Sequence, residues 1–151
     1  MPMFRCKACG AFNRVREPRP PGAPECGRCH GLLDVSGAPQ EVDGEGLDRA
    51  VLGSPVPVLL DLWAPWCAPC RAAAPILDAV GRAQAGRLLV LKLNTEEHPH
   101  VAHALRVQGI PTFVVYAGGR EVARRSGVMP RAELERWVMM SVAQGGAGAT
   151  V

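Results

Sequence analysis

From about residue 46 onward, the apolar positions change period in blocks. Residues 56–63 form a nearly unbroken apolar run, which predicts a buried strand. Residues 68–85 are helical in composition. Pro69 is tolerable in the first turn of that helix, and Pro75 is expected to kink it. Residues 88–93 predict a second, almost continuously apolar strand. Residues 98–106 place Val101, Ala102 and Leu105 on one helical face. Ile110 and residues 112–117 predict a strand, Gly118-Gly119 a hairpin turn, and residues 121–126 the returning strand. Pro130 opens a last helix, with Leu134, Trp137, Val138 and Val142 near helical spacing. A short helix is expected over residues 47–52. The Gly/Ala-rich tail, residues 144–151, is expected to fray. Strand–helix–strand–helix, then hairpin and helix, implies an α/β fold with a mixed central sheet flanked by helices.

The first 33 residues read differently. They hold two Cys-x-x-Cys knuckles with little apolar content between them. Residues 14–24 contain four prolines and three arginines, an extended loop by composition. Such a segment buries too little to fold unaided, and a metal is the natural staple. Residues 34–45 read as a linker ending in a short strand. The domain organisation is therefore a four-cysteine module at 1–33, the linker at 34–45, the α/β domain at 46–143 and the tail at 144–151.

The chain has 151 residues and a formal charge of +3. Four metal-bound thiolates and one Zn²⁺ would bring the charge to about +1, so no strong nucleic-acid or membrane field is expected. No run of 18 or more apolar residues is present, and the N-terminus lacks the apolar core of a secretory signal. These features predict a cytoplasmic protein, where a reducing environment favours metal or catalytic roles for cysteine over structural disulfides.

Six cysteines fall into three pairs. Cys6-x2-Cys9-x16-Cys26-x2-Cys29 has the spacing of a closed, tetrahedral four-cysteine zinc site. Gly10 and Gly27 are expected to let backbone N–H groups approach the sulfurs. Iron, a pair of disulfides and free surface thiols are the competing readings. His30 adjoins the second knuckle, but four cysteines already complete the site. His98, His100 and His103, beside Glu96 and Glu97, read as a solvated helix start. Arg124-Arg125 read as an exposed strand.

The third pair, Cys67/Cys70, follows the apolar run at a strand-to-helix junction. Free N–H groups and the helix dipole there stabilise a thiolate, the nucleophile of disulfide exchange. Cys70 lies about one turn later, within reach to close a disulfide. Asp61 interrupts the apolar strand, so a buried carboxylate of raised pKa is expected behind the dithiol, suited to take the Cys70 proton. Lys92, alone in its own apolar strand, is placed to moderate that shift. Pairing with Lys92 in a purely structural role is the other reading of Asp61. Trp63 reads as core.

Residues 61–70 (Asp-Leu-Trp-Ala-Pro-Trp-Cys-Ala-Pro-Cys), Pro75, Lys92-Leu93-Asn94, Gly109-Ile110-Pro111-Thr112-Phe113 and Gly127 together resemble the thioredoxin family over about residues 40–143. With its two N-terminal knuckles, the chain looks like the zinc-binding thioredoxins of the second bacterial type over nearly its full length. The resemblance implies a thioredoxin fold with a small zinc-ribbon-like module. It implies a cis Pro111 facing the dithiol and a substrate groove formed by Trp66, Ala68, Pro69, Ile110, Pro111 and Gly127. It also implies catalysis by Cys67 as attacking and Cys70 as resolving thiol, with Asp61 and Lys92 in support. The family commonly has glycine where this chain has Ala68, a substitution next to the reactive thiol. The function implied is protein-disulfide reduction, recycled by an NADPH-dependent thioredoxin reductase. The chain shows no Gly-rich dinucleotide motif, so flavin and nicotinamide belong to that partner. Two other functions are compatible with the residues: a redox-responsive zinc-ribbon binding module, and a disulfide oxidase or isomerase of the same fold.

Overall fold

The alternating blocks close into one five-stranded sheet with helices on both faces. In the computed structural model, residues 1–18 and 21–149 are described, without the side chains of 146–149. The elements are β1 (Met3–Arg5), β2 (Phe12–Arg14), β3 (Gln40–Glu41), α1 (Gly44–Gly53), β4 (Val58–Trp63), α2 (Ala68–Ala83), β5 (Leu89–Asn94), α3 (Pro99–Ala104), β6 (Thr112–Ala117), β7 (Arg120–Ser126) and α4 (Arg131–Ala149). The main sheet has the order β3-β5-β4-β6-β7. β3 and β4 flank β5 in parallel, whereas β6 and β7 run antiparallel. The hairpin between β6 and β7 turns on Gly118 and Gly119, both at positive φ, as a tight two-residue turn requires.

Strand alternation sends residues to two separate cores. Leu59, Phe113 and Val115 pack with Leu77, Val80, Leu134 and Val138 beneath α2 and α4. Leu60, Leu62, Leu91, Leu93 and Val114 pack with Leu47 and Ala50 of α1. β4 is buried on both faces, which explains its continuous apolar run. Each fully buried leucine or phenylalanine contributes about 1.5–3 kcal/mol.

α2 is one helix with Pro75 inside it. Two expectations change in detail. α1 extends beyond its apolar positions because Asp43 caps it, accepting a 2.7 Å hydrogen bond from Gly46 N–H. α4 continues through Ala149, whereas composition predicts fraying from Gln144; Thr150 and Val151 lie outside the described residues.

The N-terminal residues add a two-stranded antiparallel hairpin, β1-β2, with a small core of Phe4, Val15 and Leu33 around Cys6 and Cys26. This module sits against the larger domain. Met3 N–H donates to Gly86 C=O at 3.0 Å, and Phe12 joins the core beneath α1. Arg5 Nη1 donates to Gln40 Oε1 at 2.8 Å, while Gln40 Nε2 donates back to the Arg5 carbonyl at 3.0 Å. The short edge strand β3 is thus held by the module on one side and by β5 on the other.

Candidate active site and metal centre

Cys67 is the N-cap of α2, and Cys70 lies inside its first turn. Pro69 suits that turn because its missing N–H has no helical partner there. The two cysteines are joined in a disulfide, with Cα atoms 5.2 Å apart. Cys67 Sγ accepts from Cys70 N–H at 3.2 Å and lies 3.7 Å from the Ile110 carbonyl oxygen. Both cysteines are buried, while Trp66, Ala68 and Pro69 project around them, Trp66 at 67% exposure.

The loop opposite carries Ile110 and Pro111, joined by a cis peptide bond. The Thr112 hydroxyl hydrogen-bonds the Gly109 carbonyl, and Ser126 Oγ lies 3.0 Å from Thr112 Oγ1. Gly127 N–H donates to Pro111 C=O at 3.0 Å. Gly127 has φ +93°, and the space where its Cβ would stand is open. Trp66, Thr95, Ala102, Val107, Gln108 and Ile110 line an open groove of about 470 Å³ beside the dithiol. Of the six groove residues that the resemblance implies, Trp66 and Ile110 line this groove and Ala68, Pro69, Pro111 and Gly127 do not. The Thr112–Ser126 hydroxyl pair behind the loop was not anticipated, because it depends on the register of β6 against β7.

The four other cysteines converge. Their sulfurs all lie within 4.8 Å of one another, with the Cys6–Cys29 and Cys9–Cys26 pairs at 3.7 Å. Four thiolates around a tetrahedral zinc at about 2.3 Å stand about 3.8 Å apart, so the arrangement fits the ion. The two knuckles repeat one backbone design. Cys6 N–H bonds to Ala11 C=O and Cys26 N–H to Gly31 C=O, while Gly10 and His30, both at positive φ, donate back to Cys6 and Cys26. The N–H groups that reach sulfur are those of Arg28 and Gly31, each at 3.4 Å, joined by the Asn13 side-chain amide at 3.5 Å from Cys26. Gly10 N–H bonds the Cys6 carbonyl and Gly27 N–H bonds Asn13 Oδ1, so neither glycine itself donates to sulfur. Backbone N–H groups of Cys29 and Arg28, then the Asn13 amide, pull the Cys26 thiol down to about 6, whereas Cys29, despite its Gly31 N–H bond, is pushed up to about 11 by the crowding of the other three sulfurs. His30 is exposed and outside the cluster. Among the described residues, these four cysteines are the one group with metal-ligand spacing.

A thioredoxin family model matches residues 38–140. The chain belongs to the thioredoxin family. It is 38% identical over 140 residues to "Thioredoxin C-3" of Corynebacterium nephridii, covering 92% of this chain and 94% of that one. That match extends well into the N-terminal module. "Thioredoxin 1" of Nostoc sp. is 40% identical over 102 residues, 68% of this chain and 94% of that one. Among solved structures, chloroplastic thioredoxin z superposes with a TM-score of 0.65 at 31% identity, covering 70% of this chain and 96% of that one. A thioredoxin from Halobacterium salinarum gives 0.65 at 27%, covering 72% and 95%. The protein is accordingly a thiol–disulfide oxidoreductase with a redox-active Cys67/Cys70 pair.

In this thioredoxin, Asp61 has no exposed surface, and neither carboxylate oxygen has a hydrogen-bond partner. Burial pushes its carboxyl up to about 7; Lys92 opposes the rise, and Glu41 adds to it. Asp61 pairs with Lys92 across β4-β5 and with Phe113 across β4-β6, so it faces the side of the sheet covered by α2. Among the described residues Lys92 closes no ion pair; its Nζ stands 4.6 Å over the Trp63 ring. Trp63 is half-buried and packs against the cluster of Ala64, Cys67 and Cys70, so it belongs to the surroundings of the dithiol as well as to the core. His100 and His103 are exposed, as read from sequence, whereas His98, at the N-cap of α3, has three quarters of its side chain covered. Arg124 and Arg125 lie on an exposed strand, paired with Glu121 and Glu133. No described helix is long and apolar enough to cross a membrane.

Proposed function

We propose that this thioredoxin is a protein-disulfide reductase of the zinc-binding bacterial kind. The observation that carries the reading is the Cys67–Cys70 pair at the start of α2, with Cys67 facing the Ile110 carbonyl and the unpartnered Asp61 carboxyl buried on the sheet face that α2 covers. The Cys67 thiolate attacks a substrate disulfide, forming a mixed disulfide and releasing one substrate thiolate, which takes up a proton. Asp61, as carboxylate, accepts the proton of Cys70, with Lys92 steadying its charge. Cys70 then attacks Cys67 Sγ, closes the Cys67–Cys70 disulfide and releases the second substrate thiolate. The substrate receives two electrons from the dithiol and two protons, one being the Cys70 proton passed on from Asp61 and the other coming from solvent. An NADPH-dependent thioredoxin reductase restores the dithiol.

Trp66, Ala68, Pro69, Ile110, Pro111 and Gly127 form the substrate groove in this reading. An extended substrate segment pairs with the backbone at Ile110, and Trp66 supplies apolar surface. Open space at Gly127 and the exposure of Trp66 support that use.

Cys6, Cys9, Cys26 and Cys29 hold one structural Zn²⁺. The 3.7 Å sulfur spacings and the N–H donors to sulfur support this ligand set. The ion would cross-link two knuckles that share only a small core. A reducing, cytoplasmic setting agrees with a metal-ligating role for these thiols. The module then occupies residues 1–33, joined through 34–45 to the thioredoxin domain.

The test is a trap. A Cys70→Ser protein, incubated with oxidised substrate proteins, accumulates mixed disulfides through Cys67 that dissolve on adding dithiothreitol. A Cys70→Ser protein that accumulates none would overturn the assigned order of attack.

A further inference from the structure

One row of residues crosses the sheet at the level of Asp61. Glu41 on edge strand β3 pairs with Lys92 on β5, and Lys92 pairs with Asp61 on β4. Residues paired in this way project from the same face of a sheet. The row therefore runs from an exposed carboxylate, through a half-buried ammonium, to a fully buried carboxyl. We propose that Glu41 is a positioning residue of the redox centre: by sharing the Lys92 ammonium with Asp61, it sets the proton affinity of the buried carboxyl. The consequence for catalysis rests on Asp61 being the proton acceptor in the reading above.

Lys92 is committed to neither carboxyl group. It makes no salt bridge with either one, and its Nζ rests on the face of Trp63. An ammonium drawn toward two acids takes a position set by both. Removing the outer charge lets the lysine side chain settle closer to the inner one, and also removes a direct repulsion. Both changes favour ionised Asp61. The electrostatics of each residue reflect this arrangement, since Glu41 raises Asp61 while Lys92 lowers both carboxyls.

The surroundings are few. The charged groups that act on Asp61 are Lys92 from β5 and Glu41 from β3; α2, which covers the same face of the sheet, carries Cys67 and Cys70, uncharged as a disulfide. Glu41 faces Lys92, Glu97 and His98, together with the indole N–H of Trp63, which closes no hydrogen bond of normal geometry. The position of Glu41 is fixed at its neighbour, where Gln40 exchanges two hydrogen bonds with Arg5.

The direct test follows the carboxyl carbon of Asp61 by NMR during a pH titration of full-length oxidised protein labelled at aspartate, with Asp61→Asn to assign the signal. In Glu41→Gln the midpoint falls by about half a pH unit, a threefold loss of proton affinity, as expected for one charge two strands away. In Lys92→Gln it rises. Glu41→Asp restores the wild-type value, and Glu97→Gln leaves it in place. The Glu41→Gln shift shrinks when Lys92 is already glutamine. An unmoved midpoint in Glu41→Gln overturns the proposal. So does an equal shift with and without Lys92, or an equal shift from Glu97→Gln. The reading of Asp61 as proton acceptor fails separately, if Asp61→Asn resolves mixed disulfides at the wild-type rate. The titration reads the carboxyl itself and stands in either case. Glu41 is exposed on an edge strand, and unchanged circular dichroism of its variants verifies the fold.

Discussion

Cys67 Sγ accepts a hydrogen bond from the Cys70 backbone N–H at 3.2 Å, so one sulfur caps the helix that carries the other. A cap that is also a nucleophile couples helix geometry to thiolate stability. Cys67→Ser keeps a capping oxygen and loses the chemistry. It is expected to fold normally and to lose all turnover, as read by circular dichroism and a disulfide-reduction assay. Cys70→Ala keeps the backbone donor and is expected to form the mixed disulfide but not to release it.

The raised carboxyl of Asp61 has a consequence for stability. Its folded value of about 7 lies above the ordinary 3.8, so between those values the folded state holds a proton that the unfolded state does not. Stability is then greatest below the lower value and is lost as pH rises through the upper one. A displacement of about three pH units corresponds to roughly 4 kcal/mol, an order-of-magnitude figure. Asp61→Asn is expected to raise stability at pH 8 by a few kcal/mol and to leave it nearly unchanged at pH 4. Denaturant unfolding at the two pH values reads the difference.

The same substitution is expected to slow resolution. Asp61 is ionised above about 7, so release of substrate from the mixed disulfide should quicken as pH rises through that value. In Asp61→Asn this rise is lost. Stopped-flow measurement of resolution from pH 5.5 to 8.5 separates the two profiles.

Metal removal should act on the module first. Chelation is expected to expose Cys6, Cys9, Cys26 and Cys29 to alkylation and to lower the melting temperature, while the Cys67–Cys70 pair still exchanges. Native mass spectrometry should find one zinc per chain before chelation and none after. Cys26→Ala, which removes a fully buried ligand, is expected to arrive without metal.

Gln40 joins the module to the sheet by two hydrogen bonds with Arg5. Gln40→Ala is expected to cost about 1–3 kcal/mol, because the Arg5 groups are left without these partners. Hydrogen exchange should show faster opening at β1 and β3 than at β4.

The fold was legible wherever one element buries a continuous face. The runs at β4, β5 and β6 are apolar because that sheet is covered on both sides, and the Gly118-Gly119 turn carries its own signal. The grouping of the six cysteines into one redox pair and one four-sulfur cluster was legible because their Cys-x-x-Cys spacings sit in different sequence settings. Partners set by register were not. The alignment of Glu41 with Lys92 depends on a two-residue strand, and the meeting of Ser126 with Thr112 depends on a hairpin offset. No local pattern encodes either one. Which N–H groups reach sulfur, those of Arg28 and Gly31, was not legible, because it depends on knuckle geometry in which the left-handed Gly10 and His30 donate to carbonyls instead. The capping of α1 by Asp43 moved its start ahead of the apolar positions, and helix geometry at the C-terminus overrode the low propensity of its glycines.

The most direct test of the central claim is insulin-disulfide reduction by the full chain, coupled to NADPH through a thioredoxin reductase. NADPH consumption that depends on Cys67 and stops in Cys67→Ser is the predicted result. No consumption above the reductase alone, with the Cys67–Cys70 pair intact and accessible to a small reductant, would contradict the assignment as a protein-disulfide reductase.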